Sequence, residues 1–269
     1  MSGIKSTEKL TEENKLLAAD LKKSNEELHK VIRRLQNNYR QKDEFISMAA
    51  HELRAPMTAI KGYISMLLSG DAGTLPEKAM GYLLDATAIS ERIIRLVNNM
   101  LNVSRIEEGR TTYQMKKVGM FEIVKQVYEQ TKFESERKGL KYTLDTQKGI
   151  NDWVFVDPDR LYEVIDNLVS NAIKYTNEGA VIIKIFNPNK NYVKLEVKDS
   201  GPGISFSEQK RLFRKFYRVK STVGKTIGTG LGLYISKLLI ERFDGEMGVD
   251  SSSQKGASFW FKLPVENQK

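Results

Sequence analysis

The chain has 269 residues, 40% of them apolar and 29% charged, with a net charge of +9. That is enough for one large domain or two modest ones with a buried core, and it argues against a membrane-embedded protein: no run approaches the ~18 consecutive apolar residues of a spanning helix, and no basic-then-apolar leader opens the chain. The absence of cysteine excludes disulfides and thiolate chemistry, and two histidines, His29 and His51, are too few for a metal site built mainly of imidazoles.

Residues 1–45 read as one long helix. Leu10, Leu17, Leu21, Leu28, Val31, Leu35 and Phe45 recur on alternating three- and four-residue steps, with Asn14, Ser24, Asn38 and Lys42 in the same seam. This is a heptad pattern, and a polar one, so the coiled coil it predicts is weak. His29 falls beside the seam and faces solvent. The stripe then slips phase to Leu53, Met57, Ile60, Ile64 and Leu67, and Gly70 to Pro76 supplies the first strong breaker. A second long helix carries Tyr82, Ala86, Ile89, Ile93, Leu96, Met100 and Val103 on one face, widened by Leu83, Ile94, Val97 and Leu101. Two helices with faces this wide cannot bury them against each other alone. A dimer closing a four-helix bundle is the natural solution.

Glu107-Glu-Gly-Arg110 closes that hairpin, and the texture changes after it. Extended runs are predicted at Thr111–Val118, Leu140–Asp145, Trp153–Val156, Ala180–Phe186, Tyr192–Lys198, Glu246–Asp250 and Ala257–Leu263. Helices are predicted at Phe121–Arg137, Asp159–Tyr175 and Gly230–Phe243, and Asn187-Pro-Asn189 reads as a turn. Strands beside strands with helices collected between them make an α+β sandwich.

His51 lies about 160° around its helix from Leu53, on the side away from the core, with Glu52 beside it and Pro56 loosening the following turn. An exposed imidazole with an adjacent carboxylate suits attack on phosphorus, one ring nitrogen attacking while the other donates to the carboxylate. An inert surface histidine is the plain alternative. Asn167 and Asn171 are one turn apart on a helix, with Glu163 a turn earlier. Neutral amides offer oxygen to Mg²⁺ without cancelling nucleotide charge, and Lys174 is a point charge for phosphate. A helix with a polar wet face would look similar.

Asp199-Ser-Gly201-Pro-Gly203 follows a strand, where Asp199 can accept from an exocyclic amine; Gly228-Thr-Gly230-Leu-Gly232 opens a helix whose free N–H groups suit phosphate. Between them the chain is basic: Gln209 to Ile240 holds Lys210, Arg211, Arg214, Lys215, Arg218, Lys220, Lys225 and Lys237 and no acid, with Phe213, Phe216 and Tyr217 interleaved. Single-stranded nucleic acid is one reading of this segment. A lid over a triphosphate, bracketed by two glycine turns, is the better one.

In that order these segments resemble the boxes of the sensor histidine kinases of two-component signalling, from about Phe45 to Pro264. His51-Glu-Leu-Arg-Ala-Pro56 resembles the phosphoacceptor box, Asn167 to Thr176 the asparagine box, and Asp199 to Ile204 the first glycine box. Leu212-Phe-Arg-Lys-Phe-Tyr-Arg218 resembles the phenylalanine box, Gly228 to Leu233 the second glycine box, and Gly256 to Pro264 the last. The resemblance implies a Bergerat-type ATP site. Asp199 would bind the adenine amine, Tyr175 would lie against the base, and Ser258 would join the hydrogen bonds behind it. Asn167 and Asn171 would serve Mg²⁺ and phosphate, and Lys174 and Arg218 would neutralise charge. Glu52 would assist His51, which would take the γ-phosphoryl group and pass it to an aspartate of a response regulator receiver domain. Ala55, Lys215 and Gln254 depart from the usual residues of these boxes.

The expectation is therefore a coiled-coil signal helix over 1–44, a dimerisation and phosphotransfer hairpin over 45–110, and an ATP-binding domain over 111–269. ATP and Mg²⁺ are its cofactors. The protein would be a homodimer that binds no nucleic acid, cytoplasmic or the cytoplasmic part of a larger membrane-bound sensor. An ATPase of the same nucleotide-binding fold and a non-catalytic dimeric relay module are the alternatives.

Overall fold

A computed structural model describes residues 2–219, 229–252 and 255–266, with side chains left out at 1–20, 36–47 and 51. Residues 1–52 form one compact unit and residues 53–269 another. Helix α1 (Ser2–Leu68) is continuous and contains Pro56. The slip of the apolar stripe therefore does not break the helix. In the first unit the described seam residues Leu21, Leu28, Val31 and Leu35 are exposed; Leu10, Leu17 and Phe45 lie outside the described side chains.

In the second unit α1 turns back into α2 (Glu77–Glu107), whose first residue follows Pro76. Arg54 Nη2 donates to Asn98 Oδ1 at 2.8 Å and Lys61 pairs with Glu91 at 2.8 Å, ties that run between the two helices of an antiparallel hairpin. Helix α2 has two buried sides. Ser90, Val97, Leu101 and Ser104 form one, and Val103 with Ile106 joins the core of the following domain.

That domain holds β1 (Lys116–Gly119), α3 (Met120–Arg137), β2 (Lys141–Thr146), β3 (Trp153–Val156), α4 (Pro158–Tyr175), β4 (Ala180–Asn189), β5 (Tyr192–Asp199), the short α5 (Phe206–Gln209), α6 (Gly232–Arg242), β6 (Glu246–Ser251) and β7 (Ala257–Pro264). The main sheet has the order β2-β4-β5-β7-β6, parallel only at β2 and β4, and β1 pairs with β3 in a separate antiparallel ribbon. Alternate residues of the central strands, among them Val181, Ile183, Ile185, Val193, Leu195, Val197, Phe259, Phe261 and Leu263, are buried against α3, α4 and α6. This is the two-layer α+β arrangement that the strand pattern implied.

Helix starts explain themselves locally. Asp157 accepts from the N–H groups of Asp159 and Arg160 at 3.1 and 3.2 Å, and Pro158 takes the first helical position of α4. α3 begins after Gly119, which has no side chain to cap it, and Asp152 accepts from Phe121 N at 2.7 Å instead.

Three expectations shift. The extended run at 111–118 becomes a strand only from Lys116. Asn187-Pro-Asn189 is not the turn: β4 continues to Asn189, and the register slips between Phe186 and Asn189. Pro188 has no N–H to give the ladder, so the strand tolerates it as an irregularity at its end. The reversal falls at Lys190 and Asn191, where Asn189 Oδ1 accepts from Asn191 N at 2.9 Å. The short α5 was not foreseen.

Candidate nucleotide site

The functional residues converge because four elements end at one place. The carboxyl ends of α4 and β5, the amino end of α6 and the start of β7 surround a cavity of about 410 Å³. Asn167, Asn171, Lys174, Tyr175, Asp199, Gly203, Arg218, Gly230 and Gly232 all line it. Pro202, Ile204, Leu212, Leu233, Ala257 and Phe259 add the apolar wall that a flat base requires.

Asp199 ends β5 and is only 7% exposed. Its Oδ1 accepts from Gly201 N at 2.8 Å and from Ala257 N at 3.2 Å. Burial lifts its carboxyl above the ordinary value, and the two N–H groups partly oppose that. A carboxylate held this way in the cavity wall is suited to an amine hydrogen-bond donor.

Asn167 and Asn171 share the face of α4 turned from its apolar stripe. Asn167 Nδ2 donates to Ser236 Oγ on α6 at 2.9 Å, and Asn171 Nδ2 donates to Asn167 Oδ1 at 3.3 Å. The pair is thus oriented by a second helix. A Cβ on Gly232 would stand 2.4 Å from Asn167 Oδ1, so any larger residue there would push that amide aside. Gly230 has φ +73, and a Cβ there would stand 2.7 Å from the Phe216 carbonyl carbon. Both glycines let the backbone approach closely. Lys174 Nζ lies 5.0 Å from the Tyr175 ring centroid.

Other residues fall elsewhere. Glu163 pairs with its neighbour Arg160 at 3.0 Å and is not among the residues that line the cavity. Ser258 is on the opposite face of β7 from Ala257, because side chains alternate along a strand, and its Oγ donates to Glu196 at 2.7 Å. The hydrogen bond behind the cavity comes from the backbone of Ala257 instead. Lys215 reaches Glu107 at the end of α2 at 2.6 Å, and the Tyr234 hydroxyl donates to the same carboxylate. Phe213 and Tyr217 are faced by Lys237 and Arg211 at 5.5 and 4.8 Å. Gly228, Lys220, Lys225 and Gln254 lie outside the described residues, as does the side chain of His51; Glu52 is exposed. Gly201 enters only through its N–H. The sequence reading missed Arg92, Arg95 and Asn99 of α2, which also line the cavity.

Residues 41–109 match the His Kinase A (phospho-acceptor) domain, and residues 156–267 match the histidine kinase-, DNA gyrase B- and HSP90-like ATPase domain. The chain is a histidine kinase catalytic core. The phospho-acceptor match separates this kinase core from ATPases that share only the nucleotide-binding fold. It is 31% identical over 228 residues to the circadian input-output histidine kinase CikA of Synechococcus elongatus, covering 84% of the core and 30% of CikA. It is 32% identical over 243 residues to the sensor protein kinase WalK of Staphylococcus aureus, covering 89% of the core and 57% of WalK. The chain thus spans between about three tenths and three fifths of these two relatives. Full-length ShkA, solved in complex with AMPPNP, superposes with a TM-score of 0.70 at 24% identity, over 84% of the core and 46% of ShkA, and so shares its fold. Among the described residues no helix is long and apolar enough to cross a membrane.

Proposed function

We propose that this chain is the working part of an ATP-dependent protein histidine kinase that phosphorylates itself on His51 and passes the phosphoryl group to an aspartate of a response regulator receiver domain. The observation that carries the reading is the pairing of a phospho-acceptor domain containing His51 with a cavity holding Asp199, the amide pair and Lys174. Asp199 accepts from the adenine amine, and Tyr175 with the apolar wall packs the base. Gly230 and Gly232 bring the α6 amino end to the phosphates, where Lys174 and Arg218 offset their charge.

Mg²⁺ fits this site through Asn167 and Asn171. Among the described residues no group of three His, Cys, Asp or Glu side chains could hold a metal. Two neutral amide oxygens beside a polyphosphate suit a hard cation. When bound, it would withdraw charge from the phosphates. In the transfer, an unprotonated ring nitrogen of His51 forms the new N–P bond as the bond from γ-phosphorus to the bridging oxygen breaks, and ADP leaves. Glu52 holds the second ring N–H. The nitrogen–phosphorus bond is later broken by the receiver carboxylate. The wide apolar faces of the hairpin are covered by a second copy, making the kinase a homodimer.

Incubation with ATP radiolabelled at the γ position tests this. The chain should acquire an acid-labile, alkali-stable label that chelation of Mg²⁺ prevents. His51→Ala should abolish the label and keep ATP binding, whereas Asn171→Asp should abolish both the label and Mg²⁺-dependent affinity. An acid-labile phosphoprotein from His51→Ala would mean that the nucleophile is another residue.

A further inference from the structure

The nucleotide cavity is not closed by residues 111–269 alone. Arg92, Arg95 and Asn99 of α2 form part of its wall. They are spaced three and four residues apart and so share one side of the helix. That side runs on into Val103 and Ile106, which pack into the core of the ATP-binding domain, so the position of the arginines is fixed by apolar burial rather than by a flexible loop. Asn99 Nδ2 donates to Thr229 Oγ1 at 3.4 Å, which brings α2 to the glycine turn that opens α6. This is the phosphate end of the site.

The charges of the lining are sorted. Among the described residues its single carboxylate, Asp199, stands at the base end; its cations are Lys174, Arg218, Arg92 and Arg95. Both arginines are exposed. Glu91 is engaged by Lys61 at 2.8 Å and stands 3.9 Å from Arg95, an exposed separation worth little. Guanidinium groups fit phosphate oxygens in pairs, and two of them beside a polyphosphate site add charge that the domain's own residues do not supply.

We propose that Arg92 and Arg95 bind the phosphate end of a nucleoside triphosphate, so that the nucleotide bridges the ATP-binding domain to helix α2. This rests on the ATP reading above and adds a second source of phosphate ligands to it. The test is equilibrium titration of the full chain with ATP and with adenosine, comparing the parent with Arg92→Gln/Arg95→Gln. Arg105→Gln, which removes a charge from α2 outside the cavity, is the control. We expect the double variant to bind ATP about tenfold more weakly while adenosine affinity stays within about twofold, and the control to change neither. ATP affinity within about twofold of the parent would overturn the assignment, as would an equal loss for adenosine, since the arginines would then act through the fold rather than on phosphate. A parent chain that binds neither ligand would overturn the ATP reading itself; a parent that binds both beside an unaffected variant overturns only the role of α2.

Discussion

Asp199 is a residue whose function opposes stability. Burial lifts its carboxyl above the ordinary value. Between that ordinary value and the raised one, the folded chain holds the proton more tightly than the unfolded chain does. Stability therefore increases as pH falls through the window and is lowest above it, where both states are ionised. Asp199→Asn keeps an oxygen for the N–H groups of Gly201 and Ala257 and removes the buried charge. We expect it to melt higher at pH 7, by an amount on the order of 1 kcal/mol, to flatten that acid dependence, and to lose ATP binding. Calorimetry across pH with a nucleotide titration reads all three, and a variant that melts lower would show that the N–H bonds outweigh the burial. The Asp199 side chain was legible in the sequence because a carboxylate after a strand and before glycines is a residue-type signal. The Ala257 N–H that holds it was not, because every residue but proline carries one. Ser258 turns away for a different reason: a one-residue difference along a strand changes the face.

Elements were easiest to read where one period ruled, as in α4 with its capped start and seven buried apolar residues. They were hardest where a contact from elsewhere decides an end. The carboxyl end of α4 is such a place. Lys138, just past α3, donates to the carbonyls of Ile173, Lys174 and Thr176 at 2.7, 3.1 and 3.4 Å. It satisfies the orphaned last turn and places a positive charge at the negative end of the helix dipole. That turn carries Lys174 and Tyr175 into the cavity. We expect Lys138→Met to lower stability by about 2 kcal/mol and to weaken ATP binding, with Lys138→Arg recovering part of both. Thermal melts and nucleotide titration measure these; an unchanged melt would mean that water replaces the ammonium without cost. Nothing within residues 158–176 announces this cap, because its donor lies 35 positions from its nearest acceptor.

For the molecule as a whole, the hairpin was legible as two wide apolar faces, and one chain leaves much of them in water. Tyr63, Tyr82 and Ile89 are 68%, 65% and 58% exposed, with Leu53, Ile60, Met66 and Leu84 exposed around them. A monomer rarely tolerates so large an apolar surface. We expect light scattering to give a dimer, and Ile60→Glu/Ile89→Glu to give a monomer that keeps its nucleotide site; a stable, soluble monomer of the parent at micromolar concentration would refute this. The docking of α2 on the ATP-binding domain was not legible, because Glu107 and Tyr234 are 127 residues apart and no spacing pattern links them. That contact has a mechanical consequence. α6 meets the cavity at Gly232 and meets the last turn of α2 at Tyr234, two residues and about 3 Å of helix rise later. The backbone that lines the cavity and the tyrosine that holds Glu107 therefore belong to a single turn of α6.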